Sequence, residues 1–281
     1  MRVPDGVDLA VYDRIGPWSE AKLDILEKFI GAFVRLTQKL DRRVYIDGFA
    51  GCGAAISRTS DALVPGSPLR ALNVTPPFDE LHFVEVDPKR AEVLRRHVGD
   101  DPRATVHSAD CNHVLPDLVQ TRVQYSRFER AFCLLDPYGL QLDWNVVKIV
   151  ARTRATDVLI NLPIMGIHRN VVRTLGHNPN PARRARMTAF WGDESWVESL
   201  RLPAGQLPLF DEEATVKASH DYIAAAYCAR LRDVAGFEYV GEPVAMRSDQ
   251  NAVLYYLVFA SQKEVAVKVM RDVARKSLRE R

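Results

Sequence analysis

The chain has 281 residues, of which 47% are hydrophobic and 26% charged, a composition ordinary for a globular protein that buries most of its apolar surface. Its formal net charge of +2 neither demands nor excludes a nucleic-acid partner, and its four cysteines, Cys52, Cys111, Cys133 and Cys228, have no CxxC spacing. The pattern excludes a disulfide scaffold and a zinc site, no run is apolar enough for a membrane span, and the polar start carries no signal-peptide core. A cytoplasmic protein is expected.

Leu23, Leu26, Phe29, Ile30, Phe33, Val34 and Leu36 recur at helical spacing and predict an amphipathic helix from about Glu20 to Leu40, with Ser19 as its N-cap. Val44 to Asp47 reads as a short buried strand running into Gly48-Phe49-Ala50-Gly51-Cys52-Gly53. A polar loop then leads to a short helix, Leu69 to Val74, capped by Ser67 with Pro68 first in the helix. Leu81 to Asp87 is a second strand, Lys89 to Val98 a helix, Ala104 to Asp110 a third strand, and a helix follows Asn112. Ala131 to Leu135 is a fourth strand, stopped by Asp136-Pro137-Tyr138-Gly139. A helix from Trp144 to Arg152 precedes a fifth strand, Asp157 to Asn161. Strands apolar on both sides, alternating with helices, predict a parallel sheet covered on both faces.

Residues 165–214, rich in glycine, proline and asparagine, break that rhythm and read as an insertion within a single domain spanning residues 1–281. A helix from Val216 to Val234 restores it. Strands Phe237 to Met246 and Ala252 to Ala260 predict an antiparallel hairpin, and a helix from Glu264 to Leu278 closes the chain.

In open parallel sheets ligands sit outside the carboxyl ends of the strands. Here those ends are Asp47 with a glycine-rich turn, Glu85, Asp110, Asp136-Pro137 and Asn161, so four of five end in an acid. A purely structural sheet has no use for acids crowded on one rim, because they repel one another. The turn is not a GxGxxG opening into a helix, and no acid follows at about twenty residues, which disfavours a dinucleotide site. Glu85 can accept from two vicinal ribose hydroxyls, or be a solvated strand-end acid; Asp87 can cap the following helix. Asp110 can accept from an exocyclic adenine amine or cap its own helix. Asp136 and the backbone carbonyl of residue 136 or 137 can converge on one amine and aim its lone pair at an electrophilic methyl group. Tyr138 offers a face for a planar base, though Pro and Gly also mark plain turns.

Together these segments resemble the S-adenosylmethionine-dependent methyltransferases. Residues 45–51 (Tyr-Ile-Asp-Gly-Phe-Ala-Gly), Gly66-Ser67-Pro68-Leu69, Phe83-Val84-Glu85-x-Asp87-Pro88, Leu135-Asp136-Pro137-Tyr138-Gly139, Leu159-Ile160-Asn161, Phe190-Trp191-Gly192 and Tyr255 to Ala260 resemble the three-Cys-motif partner family over nearly the whole chain. That family is methyltransferase-like and takes its name from a neighbouring protein, which is a possible partner here. The resemblance implies a Rossmann-like class I methyltransferase fold, with a mostly parallel seven-stranded sheet, an antiparallel last strand and helices on both faces. It implies S-adenosylmethionine as cofactor, held by Asp47, Gly48, Phe49, Ala50, Gly51 and Gly53, with Glu85 on the ribose, Asp110 on the adenine and Lys22 on the cofactor carboxylate. Asp136, Pro137 and Tyr138 would meet the target. Base-amine methyltransferases commonly have Asp/Asn-Pro-Pro-aromatic there, so the single proline brings the aromatic one place early. Arg169, Arg173, Arg183, Arg184 and Arg186, with His168 and His177, form a basic stretch in the insertion that could track a phosphate backbone or be a solvated surface. The histidines lack metal-ligand spacing, and no metal is expected. The leading expectation is N-methylation of a nucleobase in RNA or DNA; a small-molecule methyltransferase and a non-catalytic partner subunit are the alternatives.

Overall fold

A computed structural model describes residues 3–4, 6–175, 180–200, 212–248 and 250–279. Helix α1 spans Pro17–Leu36, not Glu20 to Leu40, because Pro17 already has the φ a first helical residue needs and its missing N–H costs nothing there. Gly16 therefore takes the cap position and Ser19 lies inside the first turn. The helix ends where the Thr37 hydroxyl and N–H both bond the Phe33 carbonyl.

Strand β1 (Arg14–Ile15) precedes α1, and β2 (Arg42–Asp47) follows it. The segment read as a polar loop carries β3 (Ala54–Ser57) and β4 (Leu63–Pro65), which form a small three-stranded sheet with β1. Next come α2 (Ser67–Leu72), capped by Gly66 instead of Ser67, then β5 (Glu80–Glu85) and α3 (Pro88–Val98). Asp87 caps α3 through the N–H groups of Lys89 and Arg90. β6 (Ala104–Ser108) leads to α4 (Cys111–Arg122), capped by Asp110 through the Asn112 N–H. β7 (Glu129–Leu135), α5 (Trp144–Arg152) and β8 (Thr156–Leu162) continue the alternation.

The stretch that broke the sequence rhythm is largely helical: α6 (Ile164–Leu175), α7 (Pro181–Trp191) and α8 (Trp196–Ser199). Ile167, Met187, Phe190, Trp191 and Trp196 bury into the main core. Gly192 ends α7 at φ 104°, where an added Cβ would lie 2.2 Å from Cδ1 of Trp144, so only glycine fits the turn. Helix α9 (Glu212–Arg230) runs into a π-helical turn, Leu231–Ala235. The strand expected from Phe237 to Met246 divides into β9 (Tyr239–Val240) and β10 (Val244–Arg247), since Pro243 has no N–H for a ladder. β11 (Val253–Ser261) and α10 (Glu264–Arg279) complete the fold.

The main sheet has the order β10-β11-β8-β7-β2-β5-β6, with β9 also on β11. β6, β5, β2, β7 and β8 are parallel, whereas β11 is antiparallel to both β8 and β10. The sheet is therefore mixed, with seven strands in its main path and the short β9 beside it. Alternation along β2 sends Val44 and Ile46 to a core shared with α4, α5, α7 and α9, and Tyr45 to a core shared with α1, α2 and α10. Among the described residues no helix is long and apolar enough to cross a membrane. All four cysteines are buried and free.

Candidate active site

The strand order reverses at β2: the chain moves outward through β5 and β6, then returns to β7 and β8 on the other side. Loops leaving β2 and β7 in opposite senses open a crevice at their carboxyl ends. A cavity of about 610 Å³ lies there. Its walls are the turn Phe49–Ala55, the loop Asp136–Gly139, the β8–α6 junction with Asn161 and Arg169, the start of α1 with Trp18 and Lys22, and the strap Asp13–Gly16.

The glycine turn is fastened from two sides. Gly48 and Ala50 donate to the carbonyls of Leu134 and Val84, at the ends of β7 and β5. Glu85 accepts from the Gly51 N–H through Oε2 (2.9 Å) and from the Asp87 N–H through Oε1 (2.8 Å), so it ties the turn to the end of β5. Gly51 and Gly53 have φ of 63° and 86°, and Gly51 would meet nothing within 4 Å were a Cβ added: its open face is unoccupied by protein. Beneath the turn, Asp47 is fully buried and accepts from the Phe49 N–H (3.2 Å), the Tyr45 hydroxyl (3.3 Å) and the Ser67 side chain.

Burial, with the Asp136 charge adding to it, pushes the Asp47 carboxyl up to about 7, while hydrogen bonds from Ser67 and Phe49 oppose the rise. Between the ordinary value of 3.8 and 7 the folded chain thus holds a proton that the unfolded chain has released. Its stabilising contribution is complete below pH 4 and is lost as pH rises through 7. Asp47→Asn removes this titration. The unfolding free energy of the wild type relative to that variant is expected to fall by up to about 4 kcal/mol from pH 4 to 7.5. Denaturant titrations at both pH values check it, and a constant difference would contradict it.

Asp136 stands at the carboxyl end of β7 with both oxygens engaged. Lys22 Nζ lies 2.5 Å from Oδ2, and Asn161 Nδ2 donates to Oδ1 at 2.6 Å. Lys22 also lies 5.4 Å from the Tyr255 ring centroid, over its face. Asn161 is 8% exposed, and its Oδ1 has no hydrogen-bond partner among the described residues. An acceptor of this kind beside a cavity is left for a ligand donor or a water.

Tyr138 presents its ring to solvent, 77% exposed, while its hydroxyl donates to Asp13. Arg90 grips Asp13 with two donors, at 2.7 and 2.9 Å, and reaches the Tyr138 hydroxyl at 3.3 Å. Burial opposes ionisation of Asp13, but the bonds from Arg90 and Tyr138 outweigh it and hold its carboxyl below the ordinary value. The strap is further pinned by the pairing of β1 with β3 and by the Tyr12 hydroxyl, 2.8 Å from His97 Nε2.

The cavity brings together Lys22, Phe49, Ala50, Gly51, Gly53, Asp136, Pro137, Tyr138 and Arg169 of the residues singled out from the sequence. Asp47, Gly48 and Glu85 stand behind its wall as supports. Asp110 caps α4 with Oδ1 and is not part of the lining. Lys22 meets Asp136 directly. Of the basic stretch, Arg184 is bound to Glu194 and Arg186 lies 3.7 Å from Asp143; the Arg173 side chain and His177 fall outside the described residues. Sequence reasoning missed Asp13 and Arg58, which line the cavity, and Arg90, which grips Asp13. Val86, beside Glu85, is apolar yet 66% exposed, which only the tertiary structure reveals; Asp13 carries no local signal.

No family model matches the chain, and no curated protein matches it. Several solved structures are similar at low identity. Protein LPL1258 from Legionella pneumophila, a member of the family DUF519, is 12% identical over 91% of this chain and 90% of its own, with a TM-score of 0.48. Fibrillarin from Aeropyrum pernix, solved with natively bound S-adenosyl-L-methionine, is 11% identical over 92% and 85%, TM-score 0.39. The plantazolicin methyltransferase BpumL, in complex with SAH, is 9% identical over 87% and 86%, TM-score 0.36. Likeness this distant carries no argument about chemistry. The strand order and the antiparallel β11 decide the architecture. The fold is Rossmann-like, with the antiparallel last strand that the sequence resemblance implies.

Proposed function

We propose that this chain is an S-adenosylmethionine-dependent methyltransferase that methylates a nitrogen of a nucleobase in RNA or DNA. The observation that carries the reading is Asp136, held at both oxygens by Lys22 and Asn161 beside a glycine turn whose open face lines the same cavity. When bound, the cofactor supplies an electrophilic methyl group on a sulfonium. The open face of Gly51 suits a ligand approaching the backbone closely, and the unpartnered Asn161 Oδ1 suits a donor such as an ammonium or amine. The turn Phe49–Gly53 would hold the cofactor, with Glu85 fixing the turn and keeping a lone pair on each oxygen for ribose hydroxyls. Exposed Val86 offers an apolar face to a planar group, and Asp110 keeps one oxygen for a donor beyond its cap bond. Asp136 and the loop carbonyls orient the acceptor N–H, and the exposed Tyr138 ring suits stacking of a base. Four buried free thiols agree with a reducing cytoplasm. The sequence resemblance to three-Cys-motif partners extends the proposal to a protein partner bearing that motif.

Calorimetry with S-adenosylhomocysteine tests the cofactor half. Glu85→Ala is expected to weaken binding by roughly 2–3 kcal/mol, because the turn loses its anchor together with a charge-assisted acceptor. Unchanged affinity would remove Glu85 from the site, and no binding by the wild type would defeat the reading. Mass spectrometry of nucleic acid from cells with and without an active copy tests the acceptor.

A further inference from the structure

Six charged side chains line the cavity: Asp13, Arg14, Lys22, Arg58, Asp136 and Arg169. Four are neutralised by partners. Arg90 grips Asp13, Lys22 meets Asp136, and Arg14 pairs with Asp61. Arg58 and Arg169 have no acidic partner among the described residues. Arg58 is fixed through its backbone N–H to the Ile15 carbonyl, and Arg169 spends only Nε, on the Met165 carbonyl, which leaves its two terminal amino groups without an acceptor among the described residues.

They arrive from separate elements, one just after β3 and the other on α6, and both are exposed at the cavity they line. Two uncompensated guanidinium groups in one concavity repel each other and raise its potential. S-adenosylmethionine does not relieve this, because its sulfonium and ammonium outnumber its carboxylate. A methyl acceptor that carries negative charge would relieve it. A guanidinium cannot deprotonate in a protein, and its fork matches a phosphate.

Resting on the methyltransferase reading above, we infer that Arg58 and Arg169 form a phosphate-binding subsite that holds a phosphate group of the methyl acceptor at this cavity. The chemistry is a phosphate monoester or diester, carried by a free nucleotide or by a single-stranded polynucleotide. The subsite differs from the one the basic run 183–186 suggests, since Arg184 and Arg186 there already face Glu194 and Asp143.

The test uses the full chain saturated with S-adenosylhomocysteine, fluorescent single-stranded RNA and DNA oligonucleotides, and a nucleoside monophosphate as competitor. Arg58→Gln with Arg169→Gln is expected to weaken oligonucleotide binding about tenfold or more at moderate salt. It should also flatten the slope of log affinity against log salt by roughly 0.7, the amount for the one phosphate no longer neutralised. S-adenosylhomocysteine affinity should stay within twofold, and Arg184→Gln with Arg186→Gln should change neither readout. Competition by the monophosphate at the oligonucleotide's own concentration range, abolished in the double variant, supports the subsite with a free nucleotide as source. Oligonucleotide binding that resists the monophosphate but depends on both arginines supports a polynucleotide. The subsite is overturned if the double variant binds like wild type, if it loses the cofactor product instead, or if neither probe binds wild type. These results leave the methyltransferase reading standing as long as cofactor binding and methyl transfer persist.

Discussion

With methyl transfer as the proposed activity, Asp136→Ala is expected to lower it by about 10²–10³-fold, the scale on which removal of one preorganised electrostatic group acts in an active site. The carboxylate is the hub of the site: Lys22 meets one oxygen and Asn161 the other. Removing it leaves a partly buried ammonium without its counter-charge and frees the Asn161 amide to rotate, so the acceptor loses its orientation as well as a hydrogen-bond acceptor. Asp136→Asn keeps the shape and one acceptor but loses the charge that holds Lys22, and should fall between wild type and Ala. S-adenosylhomocysteine affinity should change less than about threefold in both, because the glycine turn is fastened by Glu85, Leu134 and Val84 and not by Asp136. Single-turnover transfer to nucleic acid from cells lacking an active copy, beside calorimetry and a melting curve, separates chemistry from binding and from folding. Wild-type turnover in the Ala variant would end the catalytic assignment.

A large effect on stability is expected at Arg230. This side chain, 9% exposed, donates through Nε to the Trp191 carbonyl at 2.5 Å, through Nη1 to Ser195 Oγ at 3.1 Å, and through Nη2 to Asp193. Its guanidinium also lies 5.0 and 5.4 Å from the ring centroids of Trp144 and Trp191. One residue thus ties the end of α9 to the end of α7. Arg230→Ala leaves a carbonyl and a carboxylate without their donor and opens a void among tryptophans, at a cost of roughly 3 kcal/mol. At roughly 2–4 °C per kcal/mol the melting temperature should fall by about 6–12 °C. Arg230→Lys should recover little, since one ammonium cannot reach three acceptors across that span. Arg154→Ala serves as the contrast: its pair with Glu238 is exposed on both sides and should cost no more than about 1 kcal/mol. Equal melting of the wild type and Arg230→Ala would contradict the assignment.

Local physics makes much of the fold legible in the order of residues. Strands apolar on both faces announce a covered parallel sheet, and the Asp87-Pro88 step just beyond β5 announces the cap of α3. Glycine order and the run of strand-end acids likewise locate the cavity rim, because close backbone approach and positive φ are properties of single residues. Which charges meet is decided only by the tertiary fold. Lys22 and Asp136 are 114 positions apart, and Tyr138 and Asp13 are 125 apart. Such pairs depend on how α1 and the strap fold back over the sheet, which no periodicity encodes. The same reason explains why the helices of residues 165–214 are not legible in the sequence: the apolar residues of α6 and α7 acquire a partner only once α9 and Arg230 close over them. Burial, too, is decided only in three dimensions. Asp47, Glu85 and Asp136 look alike as strand-end acids, yet Asp47 is sealed beneath the turn, Glu85 ties down two backbone N–H groups, and Asp136 alone of the three lines the cavity.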